Sequence, residues 1–318
     1  MTNPTTGAMT NPTTGGTTNA MTNHDQPSGL RGFLARIGNI DRRWIFLAMG
    51  LSIAIPILLK LRFPEYPGAM AKATFEAVEK VPEGSTVLLS FDYDPASAAE
   101  LQPMANALVH HCASRKLKIV FMALWPLGKQ QADRTIETVL KPLHPSYQYG
   151  VDFAQLGFQS GNEGVIKLMA TNLPKQYPND AAGEPLAKLP ILKDATDLGA
   201  FKLIASISAG YPGGKEWVQY GNGPMPEAFE VVCGSTGVQV GQLLPYYPRQ
   251  MEGLLVAVKG AAEYEMLVEE KYPAADAELI SQGRVRMGPQ LVAHLLMIAL
   301  IVLGNIAMIA GRPRGGAR

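Results

Sequence analysis

The chain has 318 residues, 47% hydrophobic and 17% charged, with 28 Lys and Arg against 27 Asp and Glu for a formal net charge of +1. That balance, without any basic run, argues against nucleic acid as a partner. Two cysteines exclude a disulfide framework. Cys112 is expected in a helix and Cys233 at a strand end, which favours two buried thiols over one bridge.

Residues 1–40 begin with an imperfect repeat, MTNPTTGAMTNPTTGG. Thr, Asn, Gly and Pro dominate, and such a segment buries too little apolar surface to offset the entropy of ordering. A disordered tail is expected. Trp44–Leu59 then lacks Asp, Glu, Lys and Arg, and with Leu61 it gives a span over 44–62, at the short end of the ~17–25 residues that cross a bilayer as a helix. Pro56 removes one of its hydrogen bonds. The segment starts too far into the chain, and is flanked too bulkily by Lys60-Leu61-Arg62-Phe63-Pro64, to be a cleaved leader, so it reads as an uncleaved signal anchor.

Residues 65–288 match one α/β domain in length. Thr86–Phe91 is a short apolar run that closes on Asp92-Tyr93-Asp94-Pro95: a buried strand handing over to a helix, with Asp94 suited to capping and Pro95 to a first helical turn. Ala96–Lys116 places Leu101, Met104, Ala105, Leu108 and Cys112 on one helix side. Lys118–Leu124 is a second strand, Lys129–Leu140 a helix, Tyr149–Phe158 a third strand and Gly161–Asn172 a helix. Leu173–Lys193 is an irregular insertion, and loops of that length are commonly functional. Phe201–Ile207 and Phe229–Cys233 are strands four and five, with a short helix near Lys215–Tyr220 between them, and Met251–Glu270 is a long closing helix.

Strands that alternate with helices make a parallel sheet with helices on both faces, since parallel neighbours require crossovers. The expectation is a Rossmann-like, flavodoxin-like sheet of five strands in order 2-1-3-4-5. Ligands of such sheets sit beyond the carboxyl ends of the strands.

Leu291–Ala310 has only His294 and Asn305 as strongly polar residues, and a second span over 290–311 is expected before a basic tail over 312–318. Arg31, Arg36, Arg42 and Arg43 outnumber Lys60, Arg62 and Lys72 by one around the first span. Arg312, Arg314 and Arg318 outnumber Arg284 and Arg286 by one around the second. Both favour a two-pass protein of the cell membrane with cytoplasmic termini and an extracytoplasmic domain. Gly50 with Ala54, and Gly304, Asn305 and Ala307, offer small or polar faces to each other, to an integral membrane partner or to a second copy.

Chemistry is expected at the strand ends. Asp92 and Asp94 form the D-x-D with which haloacid-dehalogenase-like hydrolases and phosphotransferases begin. The second strand does not end in that class's phosphate-binding Ser or Thr, and no late acidic pair follows. Gly210–Lys215, Gly221–Pro224 and Gly234–Gly237 are glycine turns able to expose backbone N–H groups, although none has Walker A or G-x-G-x-x-G spacing. A small ligand would be lined by Asp92, Lys215, Ser235 and Thr236. His110-His111-Cys112 cannot close one coordination shell, because consecutive helical residues point apart, and no metal is expected. No motif names a cofactor.

Asp41-Arg-Arg-Trp44, Ser90-Phe-Asp-Tyr-Asp-Pro-Ala-Ser97, Leu101-Gln-Pro-Met-Ala105 and Gly260-Ala-Ala-Glu-Tyr-Glu265 together resemble an uncharacterised family of bacterial membrane-anchored α/β proteins. The resemblance implies two transmembrane helices around a Rossmann-like domain and carries no assigned reaction. The first functional expectation is therefore a membrane-anchored module that binds a partner protein or small ligand within a membrane or envelope assembly. The second is an Asp92-dependent hydrolase or phosphotransferase.

Overall fold

Apolar runs bounded by turn residues become six strands in the computed structural model, which describes residues 41–59, 61 and 66–310. They are β1 Thr86–Asp92, β2 Lys118–Ala123, β3 Phe153–Phe158, β4 Leu203–Ser208, β5 Glu230–Ser235 and β6 Gly253–Val256. All neighbours are parallel, in the order β3-β2-β1-β4-β5-β6. The expected tails over 1–40 and 312–318 lie outside the described residues. Ala48–Leu296 is one compact unit, which carries the sheet, and the described residues outside it, 41–47 and 297–310, belong to another.

The α/β class is as expected, but two of its details are corrected. Among the described residues there are six strands, because Leu254-Leu255-Val256 is in β6 and not part of the closing helix. A short apolar run has no period that separates strand from helix. Ala257, at a φ of +51°, turns the chain sharply from β6 into the next helix. A Cβ on Gly253 would stand 2.3 Å from Thr74 Oγ1, so only glycine lets the helix that carries Thr74 lie on this strand.

The order 2-1-3-4-5 gives way to 3-2-1-4-5-6. The chain runs outward from β1 through β2 to β3, and residues 159–202 then return it to β4 beside β1. What looked like an insertion at Leu173–Lys193 is part of this crossover. Leu173, Tyr177, Leu186, Leu189, Leu192 and Leu198 from it are buried in the core on one sheet face, which is why it is long and locally irregular yet ordered.

The helices are α1 Arg42–Leu58, α2 Ala69–Lys80, α3 Ala98–Ser114, α4 Gly128–Thr135, α5 Glu163–Met169, α6 Ala257–Lys271 and α7 Gln282–Ala310, with shorter helical turns between. Strand alternation sends Val87, Leu89 and Phe91 to a face covered by α2, α3 and α6, and Leu88, Ser90 and Asp92 to the other. Helix α3 is buried at every position from Leu101 to Ala113.

Its polar side chains at four-residue steps are all paired. Tyr93 Oη donates to Gln102 Oε1 (3.1 Å), while Gln102 Nε2 donates to Asn106 Oδ1 (2.8 Å) and Thr135 Oγ1 (2.7 Å). Asn106 Nδ2 donates to Leu279 O (3.2 Å), and His110 bridges Tyr272 O and His144. His111 points elsewhere, between Tyr264 Oη (2.7 Å) and Glu79 Oε1 (2.9 Å). Cys112 and Cys233 are free and buried, in the cores on opposite faces.

Among the described helices, Gln282–Ile309 is long and apolar enough to cross a membrane, with a mean hydropathy of 2.4 in its apolar window. Leu295, Ile298 and Ile301 on it are exposed. Helix α1 forms where the first span was expected but has 17 residues, about 26 Å at 1.5 Å each, against a hydrocarbon core of about 30 Å. The first turn of α7 is held by buried Glu265 of α6, whose carboxylate oxygens accept from Gly283 N (2.8 Å) and Arg284 N (2.9 Å). Burial raises this carboxyl to about 8.

Candidate functional site

The order 3-2-1-4-5-6 places the topological switch point between β1 and β4, where the crossovers leave in opposite directions and where ligands of such sheets bind. Register fills that place with polar side chains. Asp92 pairs with Ser208 and Ser208 with Ser235, while two residues back Ser90 pairs with Ser206 and Ser206 with Cys233. Parallel neighbours in register face the same way and lie about 4.8 Å apart. Two stacked polar rows therefore cross β1, β4 and β5 on the face away from α3.

Asp92 is fully buried. Its Oδ2 accepts from Ser90 Oγ (2.7 Å) and its Oδ1 from Leu124 N (2.7 Å). Burial pushes this carboxyl up to about 7 against those two hydrogen bonds. A Cβ on Gly128 would lie 1.8 Å from Phe91 O, so glycine is what lets α4 start hard against β1 beside this residue.

The roof comes from the turn after β4. Gly213 N donates to Glu216 Oε2 (2.9 Å), Gly214 N to Ser208 Oγ (3.2 Å), and Trp125 Nε1 to Pro212 O (3.0 Å). At the neighbouring turn, Gly237 N donates to Glu100 Oε2 (3.0 Å). These turns thus hold internal carboxylates on the very N–H groups that the sequence offered to an anion. Lys215 also faces Glu216, at 3.3 Å.

Several buried polar atoms around the rows have no partner: Ser206 Oγ, Ser235 Oγ, Thr236 Oγ1, Trp217 Nε1 and Tyr177 Oη. Trp217 is fully buried. Its indole N–H lies beside Asp92 and favours the ionised form, but closes no hydrogen bond. Tyr177, from the crossover, feels the same carboxylate: burial and then Asp92 push its phenol above the ordinary range. Leaving one such group unpaired costs roughly 1–3 kcal/mol, and four of these five are hydroxyls that can donate or accept while the indole N–H only donates.

Tyr177 also lines a cleft of about 430 Å³ at the carboxyl end of β3, with Lys129, Gly157, Gln159, Gln176 and Asn179 among its walls. Lys129 pairs with Asp133 (2.6 Å) on α4. The cleft therefore has hydrogen-bonding walls and no unopposed charge from that lysine.

Of the sequence-derived residues, Asp92 and Ser235 share one row, and Thr236 is buried directly after Ser235. Lys215 stands in the roof, paired with Glu216 rather than aimed at Asp92. Asp94 is apart from them: its Oδ1 accepts from Ser97 N (3.1 Å) and closes the turn before α3, which is the capping role. Sequence reasoning missed Ser206, Ser208, Tyr177 and Trp217. The alternation in Leu-Ser-Phe-Asp of β1 and Ser-Ile-Ser of β4 carries the signal for the serines, since polar residues two apart in a buried strand share a face. Nothing local marks Tyr177 or Trp217, which arrive by crossover. Among the described residues no group of three His, Cys, Asp or Glu side chains is placed to hold a metal ion.

No family model matches the sequence, and no curated protein matches it significantly.

Proposed function

We propose that the chain is a membrane-anchored α/β module that binds a small polar ligand at the carboxyl edge of its sheet, as part of a membrane or envelope assembly. The observation that carries this reading is the set of buried polar groups without partners, Ser206 and Ser235 in the polar rows and Trp217 and Tyr177 beside Asp92, at the switch point of the sheet. A ligand that presents hydrogen-bond acceptors, such as hydroxyl or carbonyl oxygens, supplies what these groups lack. Anionic ligands fit less well, because Glu216 and Glu100 already hold the glycine-turn N–H groups. Phosphotransfer through Asp92 and Asp94 draws no support from this geometry: both Asp92 oxygens are engaged and Asp94 closes a turn.

In this reading α1 and α7 are both anchors, their small-residue faces serve an integral partner or a second copy, both termini are cytoplasmic and the sheet domain is outside, as the flanking basic residues favour.

Native mass spectrometry of the full chain, released from its own membranes in mild detergent, tests the site. The wild type should retain a small molecule that a Ser206→Ala, Ser235→Ala double variant of equal thermal stability releases. A wild type that carries no adduct, and whose melting temperature no polar compound in a metabolite panel raises, would sink the reading. For topology, cysteines placed at Lys175 and Lys188 should label from outside intact cells; protection of both would reverse the orientation.

A further inference from the structure

A second cavity, of about 470 Å³, lies beyond the carboxyl end of the edge strand β6, and its chemistry is the opposite of the polar rows. Its walls are Met70 of α2, Val240 and Leu244 of the segment after β5, Leu254 and Val256 of β6, and Ala257 at the strand-to-helix junction. Leu244 is 43% exposed, and Val238 beside this segment is 90% exposed, so the apolar lining continues onto the surface. The charged groups at the rim are Lys259 and Glu263, which pair with each other (2.6 Å), and Glu263 also accepts from Gly68 N (3.1 Å). The mouth is therefore electrically balanced, and the interior offers an occupant hydrocarbon contact with almost no hydrogen bonding.

The chain itself brings this cavity near a bilayer. Gly68 in its wall stands ten residues after Leu58, the end of apolar α1, a distance that extended chain covers in at most about 35 Å. Helix α6, which gives the cavity Lys259 and Glu263, leads into α7, whose Gln282–Ile309 stretch is long and apolar enough to span. An exposed apolar groove held on such a tether is shielded from water most simply by the hydrocarbon nearest to it.

We propose that this groove takes one acyl chain of a bilayer phospholipid, with the headgroup left at the membrane surface. A balanced rim argues for a lipid chain over a free fatty acid, whose carboxylate would meet the carboxylate of Glu263 together with its partner lysine and gain no net charge opposite. A pocket of this size lies within the ~300–1,000 Å³ of small-molecule sites. The proposal rests on the membrane placement of α7 and is independent of the polar rows at Asp92.

The test is photolabelling of the full-length protein in phosphatidylcholine nanodiscs that contain a diazirine-bearing acyl chain, with adducts mapped by mass spectrometry. Adducts are expected on Met70, Val240, Leu244 or Val256 as well as along α7. Leu244→Glu should lower the groove adducts at least fivefold and leave those on α7 unchanged, which serves as the internal control for insertion. Leu244 is exposed, so the variant should fold, and Val240→Glu repeats the test at a second, half-buried wall position if it does not. Adducts on α7 with none in the groove overturn the acyl-chain proposal alone, and absent α7 adducts overturn the membrane placement beneath it. Groove labelling that neither variant lowers also overturns it, because the contact is then not this cavity. Equal groove labelling by a diazirine fatty acid in detergent would assign the site to free fatty acid instead.

Discussion

The two faces of the sheet both bury polar side chains, and they differ in whether those side chains are satisfied. On the α3 face, Gln102, Asn106, His110 and His111 form chains of hydrogen bonds that reach Tyr93, Thr135, Leu279, Tyr272, His144, Tyr264 and Glu79. On the other face, Asp92 is bonded while Ser206, Ser235, Trp217 and Tyr177 around it are not. A closed network fixes helices to one another. An open one costs stability and persists where something else completes it. The contrast separates satisfied from unsatisfied buried polarity within a single domain, and the proposed ligand site rests on the second kind.

The largest loss of stability at a fixed pH should come from opening the closed face. Gln102→Leu keeps the volume but leaves the Tyr93 hydroxyl, Asn106 and Thr135 without their shared partner in a site 2% exposed. The expected loss is about 3 kcal/mol of stability, read as a fall in the midpoint of chemical unfolding of the full chain in detergent. Glu265→Ala should cost about 2 kcal/mol by the same logic, because it strands the N–H groups of Gly283 and Arg284 at the root of α7. A change below about 0.5 kcal/mol in either would mean that closure of these networks does little for the fold.

How much of this contrast is legible in the sequence differs between the faces for a physical reason. Five strands and the parallel class are written locally, in runs such as TVLLSF and KIVFMA bounded by turn residues. The strand order is not, because it depends on where the 159–202 crossover lands. Asp92 and Ser235 are visible as polar residues at strand ends, but their alignment across Ser208 is a property of register. Helix α2 is rich in strong helix formers and buries Ala71, Thr74 and Val78 on one side, but its place over β6 at Gly253 comes only from the fold. The i, i+4 spacing of Gln102, Asn106 and His110 is readable as a stripe, whereas its partners in residues 135–144 and 272–279 come only from the fold.

Titration adds a pH signature whose sign differs between the buried carboxyl of Asp92 and the buried histidines of the α3 face. Burial holds the Asp92 carboxyl at about 7 against an ordinary 3.8, so between those values the native state keeps a proton that the unfolded chain has lost. Asp92 therefore contributes a loss of stability as pH rises through that window, on the order of 4 kcal/mol in full. Burial lowers His111 and His144 to about 4 from 6.5, so there the unfolded chain holds the extra protons and stability is lost as pH falls from 6.5 to 4. Glu265, raised to about 8, acts in the direction of Asp92. Asp92→Asn can keep both bonds, with Oδ1 accepting from Leu124 N and Nδ2 donating to Ser90 Oγ. The difference in stability between variant and wild type should be near zero below pH 4 and grow in favour of Asn up to about pH 7. Thermal unfolding across pH 4 to 8 measures this, and a flat difference would mean that Asp92 is already ionised in the native state.

The smallest effect sharpens the comparison most. If the hydroxyls of Ser206 and Ser235 are unpaired in the empty protein, Ser206→Ala and Ser235→Ala remove only desolvated polar groups, and stability should stay within about 0.5 kcal/mol or rise by up to about 1 kcal/mol. The same substitutions should release whatever acceptor-bearing molecule the site holds. Stability and retention would then move independently, which no closed network permits: on the α3 face, losing a hydroxyl or amide always strands its partner. A loss above about 2 kcal/mol from either serine, measured on protein stripped of bound small molecules, would show that the row is completed within the protein or by ordered water, and would move Asp92 and its neighbours to the structural side of the contrast.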